Sequence, residues 1–202
     1  MANDCTFRKA CATDDVARIA KYLHLTDPYI YPVVCPDPED GDWVRLIEAC
    51  LAAKDNFYSL EHLSVALADG KIVGAACVVP CGKKLAFSEG LTLPDAIKAG
   101  VARVVAGYFG PLAEENAGLS GYNLINICVD EAYRGRGVGA AFMAHLLSLY
   151  GDKEIHLDVV ADNAAAIHTY EKCGFAVTRE YLGFSGGDDP LPCLHMVKPA
   201  KM

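Results

Sequence analysis

No apolar stretch in these 202 residues reaches the roughly 18 needed for a membrane-crossing helix. The first ten residues include Asp4, Arg8 and Lys9 and lack the apolar core of a secretory leader. A membrane is therefore not an expected partner, and the cytoplasm is the expected compartment. Blocks of Lys and Arg are also missing: 18 basic residues are scattered among 26 acidic ones, for a net charge of −8. Nucleic acid, whose binding rests on clustered cations, is not expected either. The nine cysteines include no C-x-x-C, and no two histidines stand at ligand spacing, so no metal site is expected. Their odd number and their scatter through apolar runs argue for reduced thiols rather than a disulfide framework. No Gly-Lys pair is followed by Ser or Thr, which removes the P-loop. There is neither an internal repeat nor a low-complexity tract.

What is present is 52% hydrophobic composition, enough for one domain over 1–202 that buries about 70% of its unfolded surface. The most informative stretch is NLINICVDEAYRGRGV, Asn123 to Val138. Tyr122 to Val129 is a short apolar run with β-branched residues, as in a strand, and Gly139 to Tyr150 has apolar residues at helical spacing. The turn between them carries Gly135, Gly137 and Gly139. Without Cβ atoms, several N–H groups there can converge on one anion at a helix start. Arg134 and Arg136 add two positive charges, which suits a pyrophosphate.

Two readings of that turn compete. GRGVGA, Gly135 to Ala140, fits the dinucleotide fingerprint, with Asp158 at about the right distance to hold a ribose. In that fold, however, the glycines come almost directly after the strand, whereas here Asp130 to Arg134 intervene. The order strand, acidic pair, aromatic, then Arg134-x-x-Gly137-x-Gly139 resembles the acyl-CoA loop of the GNAT superfamily of N-acetyltransferases. Asn163 and YEKCGF, Tyr170 to Phe175, resemble the second half of the same signature. The resemblance is close over about Tyr122 to Phe175 and elsewhere rests on the order of elements. It implies an α/β (α+β) fold, with a mixed, mostly antiparallel central sheet flanked by helices and a splayed coenzyme-binding strand pair.

In chain order, Thr6 to Ala10 reads as a strand, and Thr13 with Asp14 and Asp15 opens a helix ending near His24. Thr26 to Trp43 has four prolines and is expected to be without regular structure. Its Tyr29, Tyr31, Asp37, Glu39 and Asp40 are either an amine-binding wall or a solvated loop whose tyrosines cover the core. Asp42 to Ala53 is a second helix. His62 to Ala68 and Lys71 to Val79 are strands joined by Asp69-Gly70, a two-residue hairpin signal. Leu93 to Asn116 is mainly helical, opened by Pro94, with a break near Gly110. The whole 83–118 connection is longer than an acyltransferase core needs, and its surplus suits either an acceptor-pocket wall or a homodimer surface. Glu154 to Val160 is a strand, about Asn163 to Cys173 a helix capped by Asp162 or Asn163 and closed by Gly174, and Tyr181 to Phe184 and Cys193 to Val197 are the last strands.

The resemblance assigns acetyl-CoA as co-substrate and an amine, on a small molecule or a peptide, as acceptor. It implies that Ile127, Cys128 and Val129 bind the pantetheine arm through main-chain groups. Arg134, Gly135, Arg136, Gly137, Val138 and Gly139 would cradle the pyrophosphate. Asn163 would meet the coenzyme arm, and Tyr170 would donate to the leaving thiolate. Tyr29 and Tyr31 are candidate acceptor contacts. The base is the gap: the strand carries Asn123 and Asn126 where the family often has a glutamate, and Glu61, His62 and Glu89 are unranked substitutes. A CoA-binding regulatory module without turnover and a dinucleotide-binding oxidoreductase are the other functional readings. Gly183 to Gly187 also fits the G-x-S-x-G of serine hydrolases, yet the next residues, Asp188 to Pro192, read as a turn with two prolines rather than as a helix.

Overall fold

A computed structural model describes residues 4–26, 28–35, 42–82, 92–109, 118–187 and 189–201. Seven strands form one sheet: β1 Cys5–Lys9, β2 Leu63–Ala68, β3 Lys71–Pro80, β4 Tyr122–Val129, β5 Ile155–Val160, β6 Ala176–Gly183 and β7 Leu191–Lys198. Their spatial order is β1-β2-β3-β4-β5-β7-β6. Every neighbouring pair is antiparallel except β4 with β5. The mixed, mostly antiparallel sheet expected from the sequence is thus observed, and a doubly wound parallel sheet for a dinucleotide is not.

The helices are α1 Val16–Thr26, α2 Tyr31–Val34, α3 Asp42–Ala52, α4 Asp95–Val104, α5 Val138–Tyr150 and α6 Ala164–Lys172. Each face of the sheet has its own core. Along β3, Ile72, Ala75, Cys77 and Val79 join a cluster with residues of α1 to α4, while Val73, Ala76 and Val78 join one under α5 that also takes Ile167 and Tyr170 of α6. From Ala75 to Val79 this is the period-two alternation of a strand buried on both faces, and the irregularity in the β2 pairing at Val73 offsets Ile72 and Val73 by one residue. The β2–β3 hairpin turns at Asp69 and Gly70, whose φ values are 49° and 72°. Two successive positive φ angles match the right-handed strand twist, which is why an Asp-Gly pair is favoured there.

Several expectations are corrected. Thr26 to Trp43 does contain regular structure, because α1 runs to Thr26 and α2 occupies Tyr31–Val34. Pro32 is tolerated because it stands in the first turn, where its missing N–H would have had no helical partner. Tyr31 is 3% exposed and packs against His24 with ring centroids 4.8 Å apart, within the core. Asp37, Glu39, Asp40 and Glu89 lie outside the described residues. The helix α1 begins at Val16 and not at Thr13, with Asp15 Oδ1 accepting the Arg18 N–H at 3.0 Å. Asp14 instead accepts a bond from Arg8 at 2.8 Å. Gly100 within α4 is there for contact: a Cβ would lie 2.5 Å from the Val33 carbonyl oxygen of α2. The strand β6 begins at Ala176, five residues before the expected start at Tyr181. Its first three residues are all exposed at the sheet edge, so no apolar–polar alternation marks them.

Candidate functional site

The site begins where β4 and β5 part. Parallel pairing joins only Tyr122 to Ile155 and Asn123 to His156. Beyond them, the edge of β4 from Leu124 to Val129 has no β5 partner. On its other edge β4 pairs with β3 to its end, with one irregularity at Ile125. Main-chain groups of Ile127 and Val129 on the open edge are therefore left for something other than the sheet. The approach of β3 is close here, since a Cβ on Gly74 would sit 2.6 Å from the Cys128 carbonyl oxygen.

Asp130 then anchors the turn. Its N–H donates to the Val73 carbonyl at 2.8 Å, its Oδ1 accepts from the Ala132 N–H at 3.0 Å, and its Oδ2 accepts from the Tyr22 hydroxyl of α1 at 2.8 Å. The Tyr22 bond, followed by the Ala132 one, holds the Asp130 carboxyl below its ordinary range. Burial, aided by Asp130, raises the Tyr22 phenol. A single 3-10 turn over Glu131–Tyr133 comes next, and Arg134 Nε reaches back to the Val129 carbonyl at 3.2 Å. Arg136 lies over the Tyr133 ring at 5.8 Å.

Residues 134–137 are exposed. Gly135 and Gly137 have φ values of 69° and 80°, which L side chains rarely adopt, and Gly137 is the N-cap of α5. Added Cβ atoms at Gly135 and Gly139 would meet nothing within 4 Å. The first N–H groups of α5, at Val138, Gly139 and Ala140, precede the first intrahelical bond, from the Ala141 N–H to the Gly137 carbonyl. The turn thus presents donors, partial positive charge and open space together, beside two guanidinium groups.

On α6, Asn163 is the N-cap and its Oδ1 accepts from the Ala166 N–H at 3.2 Å, leaving only its Nδ2 as an outward donor. Tyr170 lies half-buried two turns on, with Phe175 at a centroid distance of 6.0 Å. Burial, then the charge of nearby Cys173, pushes its phenol up to about 12. Burial also raises the thiols of Cys128 and Cys173, so neither is a ready nucleophile.

On the other face, Asn126 donates through Nδ2 to Thr26 Oγ1, whose own proton goes to the Leu23 carbonyl at 2.6 Å. This fixes the amide orientation. Asn126 Oδ1 is then a buried acceptor with no donor among the described residues, and Asn123 Oδ1 is another. Glu61 and His62 approach each other at 3.4 Å in a 3-10 turn ahead of β2. Tyr29 is half-buried before α2. Ser185 sits in the β6–β7 loop, bonded within that loop to the Gly187 N–H at 3.1 Å, with no helix behind it. Sequence reasoning missed a buried chain formed by His156, His195 and Asp158; their spacing carries no motif, and only the β5–β7 register brings them together.

The profile of the acetyltransferase (GNAT) family matches residues 23–175. The chain belongs to this family. It is 37% identical to N-alpha-acetyltransferase RimI of Mycobacterium tuberculosis over 70 residues, 33% of this chain and 44% of that protein. It is 40% identical over 70 residues to the [ribosomal protein bS18]-alanine N-acetyltransferase of Escherichia coli, covering 32% and 47%. The chain thus spans less than half the length of the curated relatives it matches. In fold it is similar to an N-acetyltransferase from Staphylococcus aureus Mu50, with a TM-score of 0.77 at 21% identity over 95% of this chain and 99% of the other. Among the described residues no helix is long and apolar enough to cross a membrane.

Proposed function

We propose that this chain is an N-acetyltransferase that moves an acetyl group from acetyl-CoA directly to the α-amine of a peptide or protein, in the cytoplasm and as one catalytic unit. The observation that carries the reading is the junction of an unpaired β4 edge with an open, doubly glycine-bent turn at the start of α5. When bound, acetyl-CoA supplies the activated acetyl thioester. The N–H groups of Gly135, Arg136, Gly137, Val138 and Gly139 and the charges of Arg134 and Arg136 hold the pyrophosphate. The open edge at Ile127, Cys128 and Val129 holds the pantetheine arm, and an N–H near Val129 polarises the acetyl carbonyl. Asn163 Nδ2 donates to a carbonyl of the same arm.

Tyr170 lends its hydroxyl to the departing sulfur. Against a thiol near 8.5, a phenol pushed up to about 12 would give up its proton about 5 kcal/mol uphill. The residue therefore acts as a neutral hydrogen-bond donor rather than as a proton source. The raised thiols of Cys128 and Cys173 favour direct transfer over an acyl-cysteine route.

The α-amine reading rests on cost. At pH 7 an amine near 8 gives up its proton for about 1 kcal/mol, while a lysine-like one near 10.4 needs about 4.6. A strand with asparagines in place of a carboxylate suits the first. The donor-less carbonyls of Asn123 and Asn126 suit an acceptor that carries N–H groups, and Tyr29 is a further candidate contact. The two named relatives act at α-amines by their names.

The test has two arms. Thermal-shift titration with acetyl-CoA, CoA and NAD(H) should stabilise the protein with the first two only. Thiol release should then be faster with N-terminal peptides than with spermidine or blocked-α-amine lysine peptides. Coenzyme binding with no thiol release from any amine would make the protein a CoA-binding module instead.

A further inference from the structure

Below the end of the β4–β5 pairing lies a polar chain that the coenzyme site does not use. His156 on β5 and His195 on β7 are 3% and 6% exposed. His156 Nε2 is 3.1 Å from the Ser120 carbonyl oxygen, His156 Nδ1 is 3.3 Å from His195 Nε2, and His195 Nδ1 is 2.9 Å from Asp158 Oδ1. The rings lie 5.5 Å apart at 30°. The cross-strand register puts Asp158 opposite His195, and Asn123 of β4 beside His156. Asp158 is two residues beyond His156, so it stands on β5 just where β4 has left it.

Counting protons gives this arrangement its meaning. Both ends of the chain, a carbonyl and a carboxylate, can only accept. Three contacts between them need three hydrogens, and two neutral imidazoles hold only two. With two protons one contact must set two lone pairs face to face; with three, every contact is satisfied and the imidazolium charge is balanced by Asp158. The charged neighbours are Glu154, whose Oε2 is 3.9 Å from His156 Nε2, and Arg179, the register partner of His195 on β6.

We propose that Asp158, His195 and His156 form a one-proton store beside the splay that takes up the proton of the incoming acceptor ammonium. This rests on the acetyltransferase reading above. In the balanced reaction, one ammonium proton enters the store and the free amine attacks; the C–N bond forms and the C–S bond breaks. The second nitrogen proton goes to the released thiolate, giving thiol and amide. The stored proton then leaves to solvent. His195 and His156 are positioning residues that act through Asp158, holding the chain one hydrogen short until an ammonium arrives.

The test uses the full chain. His195→Asn keeps an N–H for Asp158 but cannot hold the extra proton, and His156→Gln likewise keeps a donor toward Ser120. Both should leave acetyl-CoA affinity unchanged. At pH 6.5 to 7 each should lower kcat/KM for an N-terminal peptide by roughly 10- to 30-fold, the factor by which an amine near 8 is short of its free form there. The loss should shrink to a few-fold by pH 9, where the amine arrives already free. A loss equal at pH 7 and pH 9, or no loss, would overturn the proposal. Independently of turnover and of variant folding, 15N imidazole spectra of the wild type should show two histidines gaining a single proton between them. Two rings that titrate separately, each gaining its own proton, would also overturn it. If wild-type protein releases no thiol with any amine, the acetyltransferase reading fails, and the 15N spectra still decide the proton count.

Discussion

Along one edge β4 pairs with β3 from Tyr122 opposite Pro80 to Val129 opposite Gly74, whereas along the other it pairs with β5 only at Tyr122 and Asn123. The same eight residues make both edges, so strand propensity cannot account for the difference. One edge is a ladder that contributes stability, and the other is a row of main-chain groups withheld from the ladder, which the proposed function assigns to the coenzyme. The lesson is that much of this site is backbone. Side-chain substitution reads it only where a side chain blocks the space, supplies charge or fixes the strand.

The largest effect should come from blocking. Gly139→Val places a side chain where nothing stands within 4 Å, at a position free of the positive φ that complicates Gly137. Loss of about three charge-assisted bonds corresponds to more than 1,000-fold in acetyl-CoA affinity. Calorimetry on a variant with unchanged circular dichroism reads this; retained affinity would move the site elsewhere. Next is Tyr170→Phe, expected to lower turnover about 10- to 1,000-fold with coenzyme affinity and Tm barely moved. Steady-state rates near wild type, with acyl transfer shown to be limiting, would return Tyr170 to a packing role.

Arg134→Ala should weaken acetyl-CoA by about 1 to 3 kcal/mol. Because Arg134 Nε also holds the Val129 carbonyl, comparing CoA with dephosphorylated pantetheine separates its two uses. An equal loss for both ligands would assign the effect to the strand end and not to the pyrophosphate. An effect on stability rather than on binding tests the paired edge. Gly74→Ala forces β3 away from the Cys128 carbonyl and should lower stability by about 1 to 3 kcal/mol, seen as a Tm several degrees lower. An unchanged Tm would mean that the β3 edge yields as readily as the β5 edge, and the contrast between them would collapse.

Local chemistry was legible in the sequence wherever one short stretch decides the outcome. Asp69-Gly70 specifies its own hairpin, Asn163 and Gly174 bracket α6, and the glycines after Arg134 specify an open turn. Features that depend on distant partners were not. Tyr31 looks like a loop residue until α2 buries it, and α2 itself is four residues long and opened by a proline. The early part of β6 is an exposed edge and so lacks apolar alternation. His156 and His195 are 39 residues apart and meet only through strand register, so no motif announces them. The splay was an implication of family resemblance, since no residue between Leu124 and Val129 says on which edge pairing will stop.

Asn163 serves two masters with one amide. Its oxygen is committed to the Ala166 N–H, so the helix that carries Tyr170 cannot begin properly unless that amide is already turned with its nitrogen outward. The orientation that the proposed contact with a coenzyme carbonyl requires is therefore already set by folding. An aspartate there would start the helix equally well and yet offer an arriving carbonyl a lone pair where it needs a hydrogen. The position thus distinguishes two chemically similar residues that helix-start preference alone treats as interchangeable.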